Sequence, residues 1–169
     1  EVFPGEKRVM VPSPAVATYD LQPEMSVRGV TEKIAIALRS QEYSFIAANF
    51  ANADMVGHTG HFSAAVKAIE AVDEAVGLIA EEVCSRGWQA VICGDHGNAE
   101  KMIDDDGSPH TAHTVNPVPL IVLTSKPVFL DRGGTLADIA PTLLALAGIE
   151  PPPQMTGRNL ILPVGKYSN

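Results

Sequence analysis

Apolar residues in Phe62–Val83 recur with the period of an α-helix. Ala65, Ile69, Val72, Val76, Ile79 and Val83 form one stripe, and Lys67, Glu70, Glu74 and Glu81 lie mostly away from it. Gly87 stands where a glycine closes such a helix. Val30–Leu38 predicts a shorter helix with Val30, Ile34, Ala37 and Leu38 on one side and Thr31 as its cap. Leu136–Leu146 predicts a third, ended by Gly148 and then by Pro151-Pro152-Pro153. Other segments read as strands. Tyr43–Phe50 is an apolar run rich in aromatic and β-branched residues, suited to a strand covered on both faces. Ala90–Cys93 and Val118–Leu123 are shorter apolar runs, and Arg8–Val11, stopped by Pro12-Ser13-Pro14, is a weaker one. Asp104-Asp105-Asp106-Gly107 predicts a surface turn. This succession predicts an α/β fold, a layered domain with a mostly parallel sheet. Three good strands are fewer than a doubly wound sheet uses, so the sheet is expected to be incomplete in this chain.

Composition narrows the function classes. The 169 residues suit one domain, and 46% apolar with 19% charged content excludes a disordered tail. A formal net charge of −8 without a basic block argues against nucleic acid or an anionic membrane as partner. No apolar run reaches the ~18 residues needed to span a bilayer, and Glu1–Val9 lacks the apolar stretch of a signal peptide. Cys84 and Cys93 have no CxxC spacing and read as core thiols. A cytoplasmic location is the expectation. The first residue is not Met, which suggests a chain that begins in mid-protein or is trimmed.

The ionisable residues gather at strand ends. Asp54 and His58 follow the Tyr43–Phe50 run, Asp95 and His96 directly follow Ala90–Cys93, and His110 and His113 precede the last strand. Ligands of open α/β sheets bind outside the carboxyl ends of strands. Asp54 and His58, four apart, share a face if one helical turn joins them. Carboxylate and imidazole ligands without a thiolate suit Mn²⁺, Zn²⁺ or Mg²⁺. Two such ions ~4 Å apart can clamp the attacking and leaving oxygens of a phosphoryl transfer. Spacing alone does not choose between His110 and His113. No GxSxG elbow is present. Thr59, Ser63 and Thr111 qualify as nucleophiles only by proximity, and Arg132, Arg158 and Lys101 read as solvated rather than phosphate-binding.

Four stretches resemble a known family: Pro12–Met25, Asn49–Gly60 with its Asp-Met-Val-Gly-His-Thr-Gly, Gly94–Glu100 (Gly-Asp-His-Gly-Asn-Ala-Glu) and His110–Pro119 (His-Thr-Ala-His-Thr-Val-Asn-Pro-Val-Pro). In this order they are similar to the C-terminal part of cofactor-independent (2,3-bisphosphoglycerate-independent) phosphoglycerate mutase, a family with an alkaline-phosphatase-like metal-binding domain. The resemblance covers essentially the whole chain. It implies an isomerase of glycolysis and gluconeogenesis that interconverts 3-phosphoglycerate and 2-phosphoglycerate through a phosphoserine. It also implies two divalent metal ions, manganese first and magnesium or zinc as alternatives. One ion would be held by Asp54, His58 and His113, which settles the histidine choice by resemblance. The other would be held by Asp95 and His96 with an early Asp and the serine nucleophile. That Asp, the serine and the inserted substrate-binding domain find no match here. Residues 1–169 are therefore expected to be the C-terminal part of the metal-binding domain, with no catalytic nucleophile of their own and inactive without the N-terminal portion. The competing readings are a phosphatase or phosphopentomutase of the same superfamily, or a non-catalytic metal-binding fragment.

Overall fold

A computed structural model describes residues 2–163. They divide into two units: Glu1–Glu82 with His96–Asn116, and Val83–Asp95 with Pro117–Asn169.

The first unit is helical. A 3-10 turn at Tyr19–Leu21 leads to helix α1 (Val27–Ser40), then the short α2 (Asn52–Gly57) and the long α3 (Phe62–Ser85), whose last turn belongs to the second unit. The helix expected over Val30–Leu38 is the middle of α1, with Val27 and Leu38 buried. Thr31 does not cap it: one turn in, its hydroxyl donates to the Val27 carbonyl at 2.8 Å. Ser26 stands before the helix, and its hydroxyl donates to the Pro12 carbonyl at 2.6 Å, tying the proline-rich segment to α1. The core joins Met25, Val56, Ala64, Ala65, Ala68 and Met102, with Tyr19 packed against it. Val56 is fully buried, which for a side chain of its size contributes roughly 1.5–3 kcal/mol and seats α2. Along α3 the buried seam uses small residues, and Ile69 of the expected stripe is 46% exposed.

The second unit holds β1 (Ala90–Cys93), β2 (Leu120–Leu123) and α4 (Ile139–Leu146), preceded by a 3-10 turn at Leu136–Asp138. Gly87, at φ +72°, turns the chain out of α3, and the Trp88 amide donates back to Val83 at 3.0 Å. Leu160 and Thr142 are deeply buried, and the Leu160 amide donates to the Thr142 hydroxyl at 3.0 Å. Asp138 is buried and accepts from the Arg158 amide and the Thr135 amide, both at 2.7 Å. These bonds, the Arg158 amide first, hold its carboxyl below the usual range.

Four expectations fail here. The sheet is not mostly parallel: β1 and β2 pair antiparallel, from Ala90 opposite Leu123 to Cys93 opposite Leu120, and no other strand joins them among the described residues. Apolar runs report burial and not direction. A parallel pair needs a crossover connection, whereas the chain between these strands holds only turns and isolated bridges. Neither Tyr43–Phe50 nor Arg8–Val11 forms a strand; both are irregular and mostly exposed, with no neighbouring strand among the described residues to complete a ladder. Cys84 and Cys93 are free and exposed rather than core thiols. β2 starts two residues later than expected because Pro117 and Pro119 have no N–H to give to a ladder.

Candidate metal centre

Two local structures of the first unit build the site. The first is α2, where the His58 amide closes the turn on the Asp54 carbonyl at 3.0 Å, so both side chains leave on one face. The second is an isolated antiparallel bridge between Gly97 and Thr114, with the Thr114 amide donating to the Gly97 carbonyl at 2.9 Å. This bridge draws the residues before its two ends together. The rings of His96 and His113 stack with centroids 3.8 Å apart.

The donor atoms converge on Asp54. Its Oδ1 lies 2.9 Å from His113 Nε2, 3.1 Å from His58 Nε2 and 3.9 Å from His96 Nε2. The two nitrogens His58 Nε2 and His113 Nε2 are 3.1 Å apart. Ligand atoms of Asp54, His96 and His113 all fall within 4.8 Å of one another. His58 Nδ1 donates to the Thr111 carbonyl at 2.6 Å. That bond fixes the tautomer and turns the lone pair of Nε2 toward Asp54, the usual device for a metal-ligating imidazole. A carboxylate oxygen and an imidazole lone pair thus face the same gap. One proton on His113 Nε2 can serve only one of them, whereas a divalent cation serves all. The residues present fit such an ion.

The two candidate histidines separate. His113 joins this cluster, and His110 Nδ1 bonds Asp104 Oδ1 at 2.8 Å. Asp95 lies in the second unit, exposed at the end of β1, and is not among the residues whose ligand atoms cluster. Thr111 contributes its carbonyl and Thr59 donates its hydroxyl to Val56 at 2.6 Å. Lys101 pairs with Asp104 at 3.3 Å, and the Arg158 guanidinium pairs with Asp131. Beside His58 a hollow of about 380 Å³ is lined by Tyr19, Asp20 and His61 among others, and its lining includes neither lysine nor arginine.

Two residues escaped the sequence reading. Asn98 is 4% exposed and donates Nδ2 to Asp54 Oδ1 at 3.1 Å, while its own Oδ1 is buried without a hydrogen-bond partner. Such an orphan acceptor costs about 1–3 kcal/mol. Glu100 ties the two sides of the bridge. It accepts from the Asn98 amide at 2.6 Å, from Asn116 Nδ2 at 2.9 Å and from the Thr114 hydroxyl. Their only sequence signal was membership of the Gly94–Glu100 stretch, which says nothing of their partners.

The Glu100 carboxyl is held down to about 2, from an ordinary value of 4.5, chiefly by the Thr114 hydroxyl. A depressed carboxylate favours the folded state fully above its unfolded value. That contribution is lost as pH falls from about 4.5 toward about 2. Denaturant midpoints measured across this window are expected to fall less steeply in E100Q than in the unsubstituted protein. Parallel slopes would show that the Glu100 bonds do not hold the bridge.

Residues 1–151 match the Metalloenzyme superfamily, and the chain belongs to it. Within that class it is homologous to cofactor-independent phosphoglycerate mutase. It is 52% identical over 163 residues to the 2,3-bisphosphoglycerate-independent phosphoglycerate mutase of Pseudomonas fluorescens, a match covering 96% of this chain and 32% of the relative. With that of Cellvibrio japonicus it shares 55% over 161 residues, covering 95% and 31%. A crystal structure of Leishmania mexicana phosphoglycerate mutase at low cobalt concentration aligns with a TM-score of 0.81 and 32% identity, over 90% of this chain and 31% of that one. The chain spans about a third of the length of the curated relatives it matches. Among the described residues no helix is long and apolar enough to cross a membrane.

Proposed function

We propose that this chain supplies metal-binding side chains to a cofactor-independent phosphoglycerate mutase, which interconverts 3-phosphoglycerate and 2-phosphoglycerate through a phosphoserine. The carrying observation is the convergence of His58, His96 and His113 on Asp54 Oδ1. Homology to the mutases supplies the reaction class. In this reading Asp54, His58 and His113 hold one divalent ion and Asp95 with His96 contributes to a second. Manganese is the first choice by resemblance to the family, with magnesium or zinc as alternatives, because an oxygen and nitrogen ligand set without thiolate accepts each of the three. When bound, the ions supply positive charge that activates an oxygen nucleophile and offsets the charge of the transferred phosphoryl group.

The chain's own residues prepare the site. Thr111 fixes the His58 tautomer, the Gly97–Thr114 bridge sets the spacing of His96 and His113, and α2 fixes Asp54 against His58. The serine that carries the phosphoryl group, the substrate-binding residues and one further carboxylate ligand are assigned to the part of the protein outside these 169 residues. The cytoplasm, where such substrates occur, is the proposed location.

Chelation tests the reading. The intact protein treated with EDTA is expected to lose 3-phosphoglycerate turnover and to regain it on adding Mn²⁺. The product should be 2-phosphoglycerate without inorganic phosphate. Stoichiometric phosphate release would identify a phosphatase of the same superfamily, and activity indifferent to chelation would end the metal assignment.

A further inference from the structure

We propose that Asn98 is the positioning residue that orients the Asp54 carboxylate toward its cation, and that residue 57 is glycine because the Asn98 amide occupies the space a side chain there would need. The inference rests on the metal reading of the cluster and adds to it a residue that touches only the ligand.

An aspartate carboxylate turns about a broad, soft torsion, so burial alone does not fix which oxygen and which lone pair it presents. Asn98 supplies the missing constraint. Its Nδ2 donates to Asp54 Oδ1 at 3.1 Å and lies 3.5 Å from His58 Nε2. Both neighbours are acceptors, so the amide must face them with its N–H group; turned over, it would set oxygen against oxygen. With one lone pair of Oδ1 engaged by Asn98, the other remains for an ion. A neutral donor does this without cancelling the carboxylate charge that attracts the cation, which a lysine or arginine in its place would do.

The far side of the amide explains Gly57. Asn98 Oδ1 is buried and unpartnered, and it lies against the Gly57 backbone. A Cβ at position 57 would overlap that oxygen and come within 2.9 Å of Asn98 Cγ. Backbone freedom is not the reason for this glycine, since it sits in ordinary helix at the end of α2. Asn98 is itself anchored from behind, its backbone N–H donating to Glu100 Oε2 at 2.6 Å. A residue selected for stability alone would not bury an oxygen without a partner; the donor on the opposite edge accounts for the amide.

Mn²⁺ titration of the metal-free intact protein, followed by the manganese paramagnetic resonance signal, tests this. N98A and N98L are expected to weaken binding about 10–100-fold, the range for removing a partner of a metal ligand. N98L retains the branched shape and removes the orphan oxygen, so the melting temperature of its metal-free form should not fall. A residue with a merely structural role would show the reverse, a lower melting temperature with unchanged affinity. G57A should weaken Mn²⁺ binding to a similar degree, and the N98A/G57A double variant no further than the worse single one, because both remove the same bond. Failure of the unsubstituted protein to bind Mn²⁺ would overturn the metal reading and this inference with it. Normal binding that N98L leaves unchanged would overturn the role of Asn98 alone, and multiplied losses in the double variant would overturn the account of Gly57.

Discussion

Replacing Asp54 with asparagine is expected to lower the affinity of the intact protein for Mn²⁺ by more than about 100-fold and to remove phosphoglycerate turnover with it. The magnitude follows from its place in the site. Loss of a residue that only supports a ligand costs about 10–100-fold, whereas Asp54 Oδ1 is the atom on which His58, His113 and Asn98 all converge within 3.1 Å. The substitution preserves shape and deletes the charge, so α2, seated by the buried Val56, stays folded. His110→Gln is the control. His110 engages Asp104 and not the cluster, and its loss should leave Mn²⁺ binding as it was. Isothermal titration of the three proteins reads both results. D54N binding as tightly as the unsubstituted protein would mean that the histidines meet around a proton and not around a metal.

Short-range chemistry in this chain was legible because it is written in short-range spacing. The four-residue step from Asp54 to His58 required only one turn, and α2 supplies it. The long apolar period of α3 and the glycine after it were equally direct, since Gly87 turns the chain out at positive φ. What failed depends on partners that a local pattern does not name. Tyr43–Phe50 has the composition of a doubly covered strand, but composition sets what a segment tolerates; a ladder needs a neighbour. The direction of the β1–β2 pair is likewise set by the path between the strands. Residue spacing left His110 and His113 equivalent, and the resemblance chose between them. The structure separates them by a contact no spacing shows, the bond from His110 to Asp104. Asn98 and Glu100 were invisible for a related reason: a buried amide or a stapling carboxylate is recognised by what it touches, and both touch groups more than ten residues away.

The 169 residues produced alone are expected to show no mutase turnover above background, a loss of more than about 10³-fold relative to the intact protein. A double displacement requires a covalent acceptor, and removing an essential nucleophile costs orders of magnitude because the remaining groups act only in concert with it. Two hydroxyls next to cluster residues are already committed: Thr59 donates to the Val56 carbonyl, and Thr114 donates to Glu100. Surface chemistry points the same way. On α3, Phe62, Val66 and Ile69 are 60%, 41% and 46% exposed and line one hollow with Ala65 and Met102. A contiguous apolar surface of this kind seeks a partner, and the two-stranded sheet of the second unit leaves outer edges open among the described residues. Sedimentation of the isolated chain should therefore show concentration-dependent association, reduced when Phe62 and Ile69 are replaced by glutamine. Turnover of 3-phosphoglycerate by the purified 169 residues would place the nucleophile within this chain and overturn the proposal that a serine outside it carries the phosphoryl group.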